Sequence, residues 1–201
     1  ATKSLETGKP EQVTIDGRYL YGAPAAGLFA EGDVILKPTR EREDFKGYFF
    51  GLADEQVSEP TSVPIEAGEP LDDNGKATFD VTVADAPSTT QLLNANIVVR
   101  LKEAGGRAVE RSLTLPVRSE GSMIGIKPEF SGDLAENSTG KFNIVTLDAD
   151  GRKQAMQGLS WKLLSVERNY QWYRDGSSWK YEPILSTKQV ANGTVDVTTD
   201  G

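Results

Sequence analysis

Apolar and polar residues alternate in short runs along most of the chain, the period of half-buried β-strands. Val13 and Ile15 begin the pattern, and Tyr19 and Tyr21 continue it before a Gly22-Ala23-Pro24 turn. Val34-Ile35-Leu36-Lys37-Pro38 reads as a short second strand, closed by a proline that cannot donate to a ladder. Tyr48-Phe49-Phe50-Gly51-Leu52 reads as a strand or strand edge. Asp72-Asp73-Asn74-Gly75 signals a turn into Ala77–Val83, which alternates cleanly. Asn96–Leu101 and Val109–Val117 flank Gly105-Gly106 and predict a hairpin. About seven short strands with turns every 8–12 residues or so indicate a sandwich. Further on, Met123–Pro128, Lys141–Leu147 and Leu159–Val166 read as strands. No useful run has a 3.6-residue period, so little helix is expected.

One unit occurs twice. Leu20 to Leu28 leads into Val34-Ile35-Leu36-Lys37, and Leu147-Asp148-Ala149-Asp150-Gly151 leads through Gln157-Gly158-Leu159 into Trp161–Leu164. Both read as a strand, a tight turn, a Gly-Leu step and another strand. The spacing, about one small domain, suggests two copies of one β-module. The fold class expected is all-β: two tandem seven-stranded antiparallel β-sandwiches, immunoglobulin-like or fibronectin-III-like in kind. Residues 1–10 read as a linker or lead-in, 11–119 as the first sandwich and 120–201 as the second. Thr199-Asp200-Gly201 is a turn with no return strand after it, so the second sandwich is expected to be incomplete.

Composition narrows the chemistry. Among 201 residues there is no His and no Cys. That excludes His- or Cys-based zinc sites, Cys nucleophiles, Ser-His-Asp triads and disulfide staples. No catalytic residue, metal ligand or cofactor is assigned, and the chain is not expected to be an enzyme. A net charge of −8 argues against nucleic acid and against direct contact with an anionic membrane. No signal peptide or transmembrane run is visible.

Several motifs have a plain structural reading. Asp148-Ala149-Asp150-Gly151 opens like a calcium loop, but position twelve, which needs a bidentate Glu, is Leu159. A hairpin turn is the reading taken there and for Asp72–Gly75. Asn137-Ser138-Thr139 and Asn192-Gly193-Thr194 fit a glycosylation pattern that is frequent by chance. The charged run Arg40–Asp44 reads as a solvated loop. Between Ser165 and Val190, Tyr170, Trp172 and Tyr173 on one arm and Trp179 and Tyr181 on the other flank Asp175-Gly176-Ser177-Ser178. Residues at i and i+2 on both arms stack as cross-strand pairs on one hairpin face. These five aromatics are the candidate partner-contact or inter-domain surface, the alternative being that they shield the sheet or pack on the neighbouring module.

Gly17-Arg18-Tyr19-Leu20-Tyr21-Gly22-Ala23-Pro24-Ala25 resembles the strand-turn signature of a macroglobulin domain in the bacterial alpha-2-macroglobulin family. That family has an aromatic stretch similar to Tyr170-Gln171-Trp172-Tyr173 with a following Trp and Tyr. The resemblance spans roughly residues 11–201. It implies two macroglobulin domains from a much larger periplasmic, membrane-anchored lipoprotein that inhibits proteases by trapping them. In that family a protease cuts a bait segment and a Cys-x-x-Gln thioester then captures it. With no Cys, the thioester cannot lie here. The implied role is architectural, with other domains of the same longer polypeptide as partners and target proteases engaged only through the whole. The competing readings are an Ig-like adhesin tandem and a carbohydrate-binding module using the aromatic hairpin.

Overall fold

The computed structural model describes residues 4–56, 59–65, 68–102, 105–106, 108–132, 134–135 and 138–200. Asn137 of the glycosylation pattern and Gly201 of the final Asp-Gly lie outside them. The strands are β1 (Pro10–Asp16), β2 (Ala30–Thr39), β3 (Phe49–Phe50), β4 (Thr61–Ile65), β5 (Lys76–Thr82) and β6 (Leu92–Lys102). β7 (Ala108–Val117), β8 (Met123–Pro128), β9 (Phe142–Leu147), β10 (Met156–Asp175) and β11 (Ser178–Val197) follow. All paired strands are antiparallel, and the one helical segment among the described residues is a 3-10 turn at Glu43–Phe45. The all-β antiparallel expectation holds.

By compactness the chain forms two units, residues 1–153 and 154–201. In the first, a four-stranded sheet β4-β2-β6-β7 faces the β1–β5 pair. Val34, Leu36, Ala95 and Ile97 from the larger sheet pack with Val81 and Val83. Burial alternates along β2 and β5, as a one-sided sheet requires. The β6–β7 hairpin forms as the alternation predicted.

Three local readings change. β2 is ten residues long rather than a short run. β4 covers only Gly32–Leu36 of it, so Pro38 lies past that ladder, where a missing N–H is tolerated. β1 stops at Asp16, so Tyr19 and Tyr21 are loop residues whose rings stack 5.4 Å apart. The ladder ends there because Gly17 donates to the Gly75 carbonyl and accepts from the Ala25 N–H. The lead-in also does more than connect: Leu5 is buried in the core and bridges in parallel to Val117.

In both copies of the repeated unit the chain closes one isolated antiparallel bridge, Arg18 to Pro24 and Leu147 to Lys153. It then leaves for a different sheet. A closer geometric repeat runs Leu71-Asp72-Asp73-Asn74-Gly75-Lys76 and Leu147-Asp148-Ala149-Asp150-Gly151-Arg152. Each starts from a buried Leu. In each, one Asp carboxylate oxygen accepts the backbone N–H groups two and four residues on, at 2.8–2.9 Å. The Asp oxygens that suggested calcium thus cap the turn backbone.

The second unit is the β10–β11 ribbon, with register shifts at Met156/Leu159 and Leu163/Leu164. Asp175 pairs with Ser178 across a two-residue turn whose first residue, Gly176, has φ of 61°. Mirror-image hairpin turns need that positive φ.

Candidate functional site

For a chain without catalytic machinery, the places to look are its joints and its uncovered surfaces. The joint centres on β3. After β2 the chain turns through Glu43–Phe45, and the Phe50 N–H returns to the Arg40 carbonyl at 2.9 Å. β3 then pairs with β8 rather than with any strand of the first sandwich: Phe49 lies opposite Ile126 and Phe50 opposite Gly125. An excursion from the first sequence module therefore supplies the edge of the sheet β3-β8-β9. The boundary that the sequence suggested between residues 119 and 120 accordingly lies inside the first compact unit.

Phe50 is buried against Met123, Val145 and Leu147. Phe45 meets its ring edge-on at 6.3 Å. Position 125 must be Gly here, because a Cβ would approach the Phe50 ring to 2.8 Å. Lys127 Nζ sits 5.7 Å from the Tyr48 ring centroid.

Polar contacts hold the excursion at both ends. Arg40 donates to the carbonyls of Leu52 (2.7 Å) and Glu55 (3.1 Å). The Glu55 carboxylate accepts from the Thr89 hydroxyl at 2.7 Å, the Thr90 N–H at 3.0 Å and the Thr90 hydroxyl. On the far side, Arg118 Nε donates to Asp150 Oδ1 at 2.9 Å, and another of its nitrogens lies 3.6 Å from Glu6. The Arg42 guanidinium covers Gly151, where a Cβ would collide with it. The charged run at Arg40–Asp44 is thus a working part of the joint and not simply a solvated loop. These exposed pairs orient more than they stabilise, since solvent screens them.

Glu55 gives the joint a pH signature. The Thr89 hydroxyl foremost, then the Thr90 hydroxyl, holds its carboxyl below the usual value of 4.5. A depressed carboxyl stabilises the fold above its unfolded value, and that contribution is lost as pH falls through the folded value. Glu55→Gln should therefore lower the urea midpoint at neutral pH and flatten its fall below about pH 4.5. Asp72, lowered mainly by the Lys76 N–H, leaves a residual slope. An unchanged acid limb would show that Glu55 does not hold this loop.

The aromatic candidates lie on the ribbon. Trp172 faces Tyr181 across the ladder, and Arg174 faces Trp179. Ring centroids are 5.0 Å apart for Tyr170–Tyr181, nearly parallel, and 4.8 Å for Trp172–Tyr181, tilted by 41°. Tyr170, Trp172, Trp179 and Tyr181 share one face and are 52, 65, 66 and 53% exposed. Tyr173, opposite Lys180, is on the other face and half-buried. The sequence brought four of its five candidates together. It missed Arg40, Phe50, Glu55 and Gly125, and the available hint was a Phe-Phe-Gly strand too short to stand without a partner.

Among the described residues, no group of three Asp or Glu is placed to hold a metal ion. No helix there is long and apolar enough to cross a membrane.

Comparison with known proteins gives two successive family matches. Residues 1–118 match the bacterial alpha-2-macroglobulin MG5 domain, and residues 125–201 match bacterial macroglobulin domain 6. The alpha-2-macroglobulin of Xylella fastidiosa strain 9a5c is 27% identical over 200 residues, covering 97% of this chain and 12% of that protein. That of Escherichia coli K12 is 30% identical over 197 residues, covering 89% and 12%. The structure of Escherichia coli alpha-2-macroglobulin activated by porcine elastase superposes with a TM-score of 0.77 at 29% identity, covering 100% of this chain and 18% of that one. Salmonella alpha-2-macroglobulin reacted with methylamine gives 0.78 at 25% identity, covering 100% and 14%. The chain thus spans 12% of the length of the curated relatives it matches.

Proposed function

We propose, from the premise that this chain belongs to the bacterial alpha-2-macroglobulin family, that it is a rigid frame segment of a protease-trapping protein. Members of that family are protease inhibitors and not enzymes. Within that reading, two macroglobulin modules meeting near residue 120 hold bait and thioester elements, carried elsewhere in a longer polypeptide, at fixed positions. Its partners are the other domains of that polypeptide, and target proteases through the whole. Its place is the periplasm, with the full protein anchored to the inner membrane as a lipoprotein.

The observation that carries the reading is β3. A trap must transmit a cut at one point into a movement elsewhere, and a hinge-like linker between modules would dissipate it. Here one module builds a strand and a core Phe into the other's sheet. A packed, hydrogen-bonded joint of that kind is stiff. The carbohydrate reading is weaker, because Tyr170 and Tyr181 stack on each other and turn their flat faces inward.

The test is protease inhibition by the full gene product. It should block cleavage of casein while sparing a small peptide substrate, since a trapped protease stays open only to small molecules. Residues 1–201 alone should inhibit neither reaction. Inhibition of the small-peptide reaction, or casein protection by residues 1–201 alone, would sink the scaffold assignment. Cell fractionation checks the location, and recovery of the protein in the cytosol would refute it.

A further inference from the structure

We propose that the aromatic face of β10–β11 docks against another domain of the same polypeptide, one presenting an apolar patch rimmed by carboxylates. The proposal rests on the frame-segment reading and names the surface by which that segment meets a neighbour. Three observations carry it.

The ribbon is two-faced. From Val166 to Trp172 on β10 and from Trp179 to Leu185 on β11, alternate residues put aromatic and aliphatic groups on one side. Val166 and Leu185 there are as exposed as the rings. The opposite side carries Glu167, Gln171, Lys180, Glu182 and Lys188, with Ile184 and Tyr173 as its apolar members. Such alternation is what a strand shows when one side is covered and the other wet. A contiguous uncovered apolar patch is the usual mark of an interaction site.

The ribbon is also too thin to be self-sufficient. Two strands of twenty residues reach on the order of 60 Å, and an isolated two-stranded hairpin is marginal in water. A third layer against the aromatic face would supply what the ribbon lacks.

Charge names the partner's chemistry. Arg168 and Arg174 lie on the aromatic face, and from Leu164 to Arg174 and Trp179 to Gln189 that face has no acid, in a chain of net charge −8. A cationic apolar face fits an acidic rim, whereas two copies meeting through this same face would set Arg168 and Arg174 against their own kind, which disfavours a self-pairing of the face. The mutual stacking of Tyr170 and Tyr181 presents ring edges, suited to wedging between side chains and unsuited to a flat sugar.

Hydroxyl-radical footprinting compares the full gene product with residues 1–201. Oxidation of Trp172, Trp179 and Tyr181 should fall roughly tenfold in the full product, as for anchors at an interface centre. The protection should not depend on protein concentration. Arg168→Glu with Arg174→Glu in the full product should restore oxidation, with circular dichroism reporting the fold. Equal oxidation in both proteins overturns the proposal. So does protection of residues 1–201 that grows with concentration, which indicates a second copy, or protection that needs added oligosaccharide. Protection unmoved by the double charge reversal overturns the acidic rim. Protection without protease trapping would sink the frame reading and leave the docking surface standing. Trapping without protection would do the reverse.

Discussion

Phe50→Ala should cost about 3–5 kcal/mol, the usual range for emptying a buried Phe site, and should melt the β3-β8-β9 sheet before the first sandwich. Phe50 is about 1% exposed and stands at the centre of a small core. The cluster cannot collapse easily around a void, because Gly125 offers no side chain to move in and the β3 ladder is two residues long. Since a whole domain is stable by only about 5–15 kcal/mol, the loss is a large fraction. The same geometry says that residues 120–201, expressed alone, lack the Phe50 plug and the β3 edge. They should show deprotected amides at Gly125 and Ile126, and a peptide of residues 40–55 added in trans should restore protection. Urea titration and hydrogen exchange make both measurements. A loss below about 1 kcal/mol, or a stably folded 120–201 fragment, would mean that the two modules are independent beads and that β3 is ornamental.

What could be read in advance divides by the range of the interaction. The β6–β7 hairpin, the Asp72 and Asp148 turns and the aromatic ladder of β10–β11 are made by neighbours in sequence. Their signals, alternation, a turn residue and i, i+2 aromatics, are therefore local. β3 is different. Two residues carry no period, and their partners at Gly125–Ile126 lie more than seventy positions away, so nothing near Phe49 reveals which sheet they join. Leu5 was hidden for a like reason: one apolar residue in a polar lead-in gives no pattern, and its parallel bridge to Val117 spans most of a module. Arg40 and Arg42 looked solvated because charge usually is, yet their guanidiniums serve backbone carbonyls and a glycine surface. The aromatic face itself was legible, but which rings point together followed only from the register, which puts Tyr173 on the far side.

Gly75→Ala should be the other severe single change, at about 3 kcal/mol, and it separates two costs usually confounded. Gly75 has φ of 77°, a conformation in which any Cβ is strained by about 1–2 kcal/mol. Its Cβ would also run into the Gly17 carbonyl oxygen, which accepts from Ala25, while the Gly75 carbonyl accepts from Gly17. Relief would require breaking the bond between Gly17 and Ala25, where β1 ends, the β1–β2 loop starts and β5 is launched. Overpacking against backbone of this kind adds about 1–3 kcal/mol. Gly27 is the matched control, with φ of 74° and open space where a Cβ would go. Gly27→Ala should lose only the conformational part, so the difference between the two urea midpoints measures the collision. Equal losses would show that the Gly17–Gly75–Ala25 contact yields freely. The repeated Asp-x-x-Gly turn would then be fixed by its Asp cap alone, not by the backbone packed against it.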